Sequence, residues 1–119
     1  MAINLSAIFR VKDVGFEVVG GLKWEIVTSN TSAVEGRGYI VDTSAGAVTI
    51  TLPGSMTKND RISVKDLKGS FKTNNLTIAR NGHNVQGAAE DFICDVDNMA
   101  LSFVYSDVSE GMVIVEGAW

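Results

Sequence analysis

The sequence is short of the residues that most chemistry needs. It has one cysteine, Cys94, one histidine, His83, and one proline, Pro53, in 119 residues. A single cysteine excludes an internal disulfide and fits folding in a reducing compartment. One histidine and one cysteine cannot supply the four nitrogen or sulfur ligands of a structural zinc site. No apolar run approaches the length of a membrane span. The stretch Met1-Ala2-Ile3-Asn4-Leu5-Ser6 has no basic segment leading into an apolar core and cleavage site, so no secretory signal is expected. Basic charge is also scarce: 10 Lys and Arg against 14 Asp and Glu leave a formal charge of -4. Such a chain exerts no electrostatic pull on nucleic acid or anionic lipid, and neither is expected as a partner.

What is present is ordinary globular material, 45% hydrophobic and 20% charged, enough for one domain with one core. From Tyr39 onward apolar residues alternate with period two. Val48, Ile50 and Leu52 face one way and Ala47, Thr49 and Thr51 the other; Ile62 and Val64 alternate with Arg61, Ser63 and Lys65; Leu76 and Ile78 alternate with Thr77 and Ala79. This spacing predicts short half-buried strands. Turn signals separate them at Pro53-Gly54, Asn59-Asp60, Lys68-Gly69, Asn81-Gly82, Asp97-Asn98 and Glu110-Gly111. Asn81-Gly82 is the pair that primed hairpin turns favour. The expectation is an all-β chain: a compact antiparallel β-sandwich, jelly-roll-like or barrel-like, with residues 1–21 as an N-terminal arm and 22–119 as the body.

Two regions depart from simple alternation. Between Met1 and Val19 the apolar residues Ile3, Leu5, Ile8, Phe9, Val11, Val14, Phe16 and Val18 follow no single period, and Gly20-Gly21 breaks the chain before Trp24. This is either a first core strand or an extended arm that docks on a partner, in which case Ile3, Leu5, Ile8, Phe9 and Val11 make the contact. Near the other end, Met99–Tyr105 and Met112–Val115 are apolar on both faces, with Asp107, Ser109, Glu110 and Gly111 as a hairpin loop between them. They form either a central strand pair or a subunit interface that includes Met99, Leu101, Val104, Val113, Val115 and Trp119.

Nothing assembles a catalytic set. His83 lies in the turn Arg80-Asn81-Gly82-His83-Asn84 and is expected to be exposed; Cys94, between Phe92 and Val96, reads as a small core residue. Neither supplies the oriented base and nucleophile of a triad. Glu90, Asp91, Asp95 and Asp97 lack the ligand series of a calcium loop and read as the solvated side of a strand. Gly36-Arg37-Gly38 lacks the Lys-Ser/Thr of a phosphate loop. Trp24 and Trp119 are candidates for stacking on sugar rings, with terminal anchoring as the simpler role for Trp119. The expectation is a protein without catalytic residues, metal or cofactor.

A resemblance sharpens this. Tyr39-Ile40-Val41-Asp42-Thr43-Ser44-Ala45-Gly46-Ala47-Val48-Thr49-Ile50-Thr51-Leu52-Pro53, then Asp60–Asp66, Phe71–Gly82 and Asn84-Val85-Gln86-Gly87, resembles a β module recurrent in virion proteins of tailed bacteriophages: tail fibres, tailspikes and head-decoration or head-fibre proteins. It covers about Tyr39 to Tyr105. One departure is the ending: such modules commonly carry Gly-Trp near the final strand, whereas here Glu110-Gly111 is followed by Met112 and the tryptophan comes at Trp119. The resemblance implies a virion structural protein made in the bacterial cytoplasm, with a homotrimer and other virion proteins, major capsid or tail and collar, as partners. The leading expectation is a capsid decoration (cement) or short head-fibre protein held to the particle by its N-terminal region. The alternative is a tail-fibre or tailspike-associated protein that binds host surface glycan.

Overall fold

The computed structural model describes residues 21–119. The arm residues Ile3, Leu5, Ile8, Phe9 and Val11 lie outside the described residues. Nine strands follow in order: β1 (Lys23–Val27), β2 (Thr31–Ser32), β3 (Arg37–Val41), β4 (Val48–Thr51), β5 (Arg61–Asp66), β6 (Leu76–Ala79), β7 (Phe92–Cys94), β8 (Ala100–Tyr105) and β9 (Met112–Ala118). They form a five-stranded sheet, β1-β3-β5-β8-β9, and a four-stranded sheet, β2-β4-β6-β7.

The expected all-β sandwich is therefore what the structure shows, and no closed barrel forms among the described residues. The sense of the strands is the finding that sequence patterning did not convey. Through β6 the chain alternates between sheets, so each strand pairs with the one two places before it. β1, β3 and β5 are mutually parallel, as are β2, β4 and β6. These strands form a two-walled coil, each turn laid beside the last, as in solenoid proteins. Only the last three strands turn back: β7 on β6, β8 on β5 and β9 on β8 are antiparallel. The antiparallel expectation thus holds for the closing third and is corrected for the rest. The physical reason is that period-two alternation reports one buried face and carries no information on strand direction. Parallel sheets are normally covered on both sides by helices and lose alternation. Here arches connect the two sheets directly, so each strand still has one face in the core and one outside.

The phase of each strand follows its buried residues. Val27, Tyr39, Val41, Ile62, Val64, Leu101 and Phe103 point inward from the larger sheet; Val48, Ile50, Leu76, Ile78 and Cys94 meet them from the smaller. Phe92 closes edge-on against Phe103, with ring centroids 5.7 Å apart. Each such side chain contributes roughly 1.5–3 kcal/mol on burial. The β8–β9 turn is the expected hairpin. Asp107 Oδ1 accepts from Glu110 N at 2.7 Å, and Asp107 O accepts from Gly111 N at 2.8 Å. Gly111 has φ 69°, and a Cβ there would drive into the Asn84 carbonyl, so only glycine fits.

The turn at Asn81-Gly82 has positive φ at both residues, 49° and 92°, and His83 N donates to Arg80 O, as in a primed turn. It does not join two paired strands, however. It sends the chain across to β9, where Gln86 N donates to Met112 O at 2.8 Å and Gln86 Oε1 accepts from Ile114 N at 2.7 Å. That crossing ties the two sheets and covers the first half of the β9 edge, a place otherwise open to unwanted strand pairing.

Candidate binding face of the five-stranded sheet

Register alone arranges the outer face of the larger sheet into ranks. One rank runs Trp24, Gly38, Ser63, Ser102, Glu116 across β1, β3, β5, β8 and β9. The next runs Ile26, Ile40, Lys65, Ala100, Ala118. On the other side, Arg61 lies beside Val104 and Val104 beside Val113. The alternation that put Ile62 and Val64 in the core necessarily put Arg61, Ser63 and Lys65 outside.

The middle rank is built of small residues between two large ones. A Cβ on Gly38 would lie 2.5 to 2.7 Å from Trp24 Cδ2, Cε3 and Cε2. A point nearly equidistant from three such fused-ring atoms must lie above the ring face, so the indole rests flat on Gly38. Among the described residues its opposite face is left open, and Trp24 is 48% exposed. Beside it a groove of about 270 Å³ is lined by Trp24, Ser63, Ala100, Ser102, Glu116 and Ala118, among others. Ser63 and Ser102 hydroxyls share a hydrogen bond of 2.7 Å on its floor. The Lys65 ammonium is held elsewhere, donating to Asp66 O at 2.7 Å.

The interface residues proposed from the sequence separate into two groups. Met99 and Leu101 are core residues, 6% and 3% exposed, so their apolarity is satisfied within the chain. Val104 and Val113 are half-buried neighbours on the outer face. Val115 lies at an irregularity between Ser102 and Phe103 pairing, where β9 carries one extra residue, and is 51% exposed. Trp119 lies over Gly117, 70% exposed, at the end of the edge strand.

Other residues singled out from the sequence are used structurally. Cys94 is fully buried, and burial, with Asp95 beside it, pushes its thiol pKa up to about 12. His83 is half-buried rather than exposed: its Nε2 lies 2.8 Å from Pro53 O and its ring packs edge-on against Tyr105. Asp91 accepts from Arg80 N and Asp97 from Lys72 N, while Glu90 and Asp95 are exposed. Asp91 and Asp97 thus tie loops at separate points.

The residue that sequence reading missed is Asp66. It is 1% exposed, and its Oδ1 accepts from Gly69 N at 3.0 Å and Ser70 N at 3.2 Å. Its Oδ2 accepts from Phe71 N at 3.1 Å and Asn98 N at 2.9 Å. Burial raises the pKa of this carboxyl, but the four N–H donors outweigh it and hold the group below the ordinary carboxylate range. The signal was in the alternation: Ile62, Val64 and Asp66 share a phase, so the carboxylate occupies a core position.

These elements form a scaffold whose outer face has a middle rank of small residues, an apolar pair at Val104 and Val113, and an edge strand. No curated protein matches the chain. A family model described as bacteriophage T4 gp9/10-like protein, N-terminal, matches residues 8–119, nearly the whole chain and the full β body. The chain belongs to this bacteriophage T4 gp9/10-like family and is a phage virion structural protein.

Proposed function

We propose that the protein is a fibre-type structural subunit of the phage particle, assembled as a homotrimer and attached through its N-terminal region. The observation that carries this is the outer face at the C-terminal strands together with the half of the β9 edge that the Gln86 crossing leaves uncovered. Val104 and Val113 are adjacent there, Val115 is exposed at the irregularity, Trp119 is exposed at the end of β9 on the Leu101 side, and among the described residues no strand pairs with the second half of β9. Apolar residues grouped on one face and continued along an edge suit contact with further copies of the chain. Residues 1–21, with Ile3, Leu5, Ile8, Phe9 and Val11, are the attachment region in this reading, and the role is structural rather than catalytic.

Family membership favours a tail or fibre position over capsid decoration. In both positions attachment works by avidity, since modest contacts from several copies of one oligomer act together. Light scattering on the purified chain is the test, with a mass near three chains expected. Val113→Glu should shift that mass to one chain while the fold is retained. A monomer for the wild type, or an unchanged oligomer in the variant, overturns the interface. Cross-linking on intact particles then separates the positions: adducts with tail proteins support the fibre reading, and adducts with the major capsid protein support a decoration or head-fibre protein instead.

A further inference from the structure

The rank from Trp24 to Glu116 has an open aromatic face at one end, hydroxyls in the middle and a carboxylate at the other end. Five strands at ordinary spacing make it about 19 Å long. The contact with Gly38 accounts for one face of the indole, in the way aromatics commonly cover a glycine in a sheet. It leaves the other face unexplained, and holds it parallel to the sheet beside the groove. A flat, fixed, half-exposed aromatic next to a shallow groove is a platform.

We propose that this groove is a carbohydrate subsite, in which a neutral pyranose lies on the outer face of Trp24 and a neighbouring sugar reaches Ser102 and Glu116. A pyranose presents a patch of C–H groups on one face and hydroxyls around its rim. The C–H face gains dispersion and quadrupole attraction from an indole. Adjacent hydroxyls suit a carboxylate, which accepts at two oxygens, and a serine, which both donates and accepts. The small side chains of Ser63, Ala100, Ser102 and Ala118 leave room for a ring to lie flat, where branched residues would stand in its way. Glu116 is the one charged residue among those lining the groove, which selects against anionic sugars. The rank length matches a short oligosaccharide better than a single ring. A shallow site of this kind binds weakly, and three copies in one oligomer would raise its effective affinity.

Saturation-transfer NMR on the full chain tests the site, using linear oligosaccharides of glucose, galactose, N-acetylglucosamine and rhamnose at millimolar concentration. Transfer to ring C–H protons of at least one probe is expected. Glu116→Gln, an exposed change that cannot unfold the protein, should weaken binding of that probe about tenfold. Gly38→Ala should abolish binding by displacing the indole, Trp24→Phe should retain part of it, and Trp119→Ala should leave it unchanged. The absence of transfer from all four probes overturns the proposal, as does a bound probe indifferent to Glu116→Gln and Trp24→Ala. Neither result bears on the trimer, which the mass measurement decides separately.

Discussion

Asp66 provides the sharpest test of how this fold is held together. Asp66→Asn keeps the size of the side chain and removes one acceptor oxygen. Whichever way the amide is turned, its NH₂ faces two backbone N–H groups: either Gly69 and Ser70, or Phe71 and Asn98. Two buried donors then lose their acceptor, at about 1–3 kcal/mol each, so the variant should be destabilised by roughly 4 kcal/mol. Against a typical total of about 5–15 kcal/mol this is a large fraction. It corresponds to a fall in Tm of about 12–20 °C in a chain of this size. Asp66→Ala orphans all four donors and should not yield a stable fold. The pH dependence has a definite sign. The folded pKa of Asp66 lies below its unfolded value, so its contribution is fully present above the unfolded pKa of about 3.9. It is lost as pH falls through the folded pKa. Thermal melts of wild type and Asp66→Asn from neutral pH to strongly acid pH should therefore begin to converge below about pH 4 and meet once the pH lies under the folded pKa. A variant melting within about 2 °C of wild type at neutral pH, or a gap unchanged in acid, would refute the account.

Gly111→Ala should be more disruptive than its size suggests, because a positive φ and the Asn84 carbonyl both oppose a Cβ. A loss of at least about 2 kcal/mol in chemical denaturation is expected, and a smaller loss would show that the β8–β9 hairpin can shift. Cys94, with a thiol pKa near 12 and no exposure, should resist thiol reagents at pH 8 until the protein unfolds; mass spectrometry of the native chain after labelling reads this directly. Gln86→Ala removes the side chain that occupies Ile114 N, so the β9 edge should open and concentration-dependent association should increase in sedimentation. Unchanged sedimentation would mean that the backbone bond from Gln86 to Met112 is guard enough.

Much of the body is legible in the sequence. The inward phases of Val48, Ile50 and Leu52, of Ile62 and Val64, and of Leu76 and Ile78 were read from alternation, and every one of these residues is buried. Cys94 joined the core for the same reason. Local turn chemistry placed the β8–β9 hairpin, because Asp107 and Gly111 close it with bonds only a few residues long. Family resemblance added the virion setting from the order of segments between Tyr39 and Tyr105.

The candidate site was far less legible. Trp24 and Trp119 stood out in the sequence, yet nothing local told that Trp24 lies on Gly38 while Trp119 lies over Gly117 at the far end of the sheet. Met99 and Leu101 were grouped with Val104 and Val113 because strands apolar on both faces do not announce which face is the core. His83 lay in a turn by every local sign, and only its meeting with Pro53 and Tyr105 buries half of it.

The sequence by itself determined that this is an all-β chain and, for β4, β5 and β6, where the strand falls and which face turns inward, because a single buried face imposes a two-residue period that needs no partner to be read. Tertiary structure alone decided that the first six strands coil in parallel, that Asp66 ties its loop to Asn98 across 32 residues, and that Trp24, Ser102 and Glu116 share one rank. Strand direction and register arise from how distant segments stack, and alternation is the same whichever way a neighbouring strand runs.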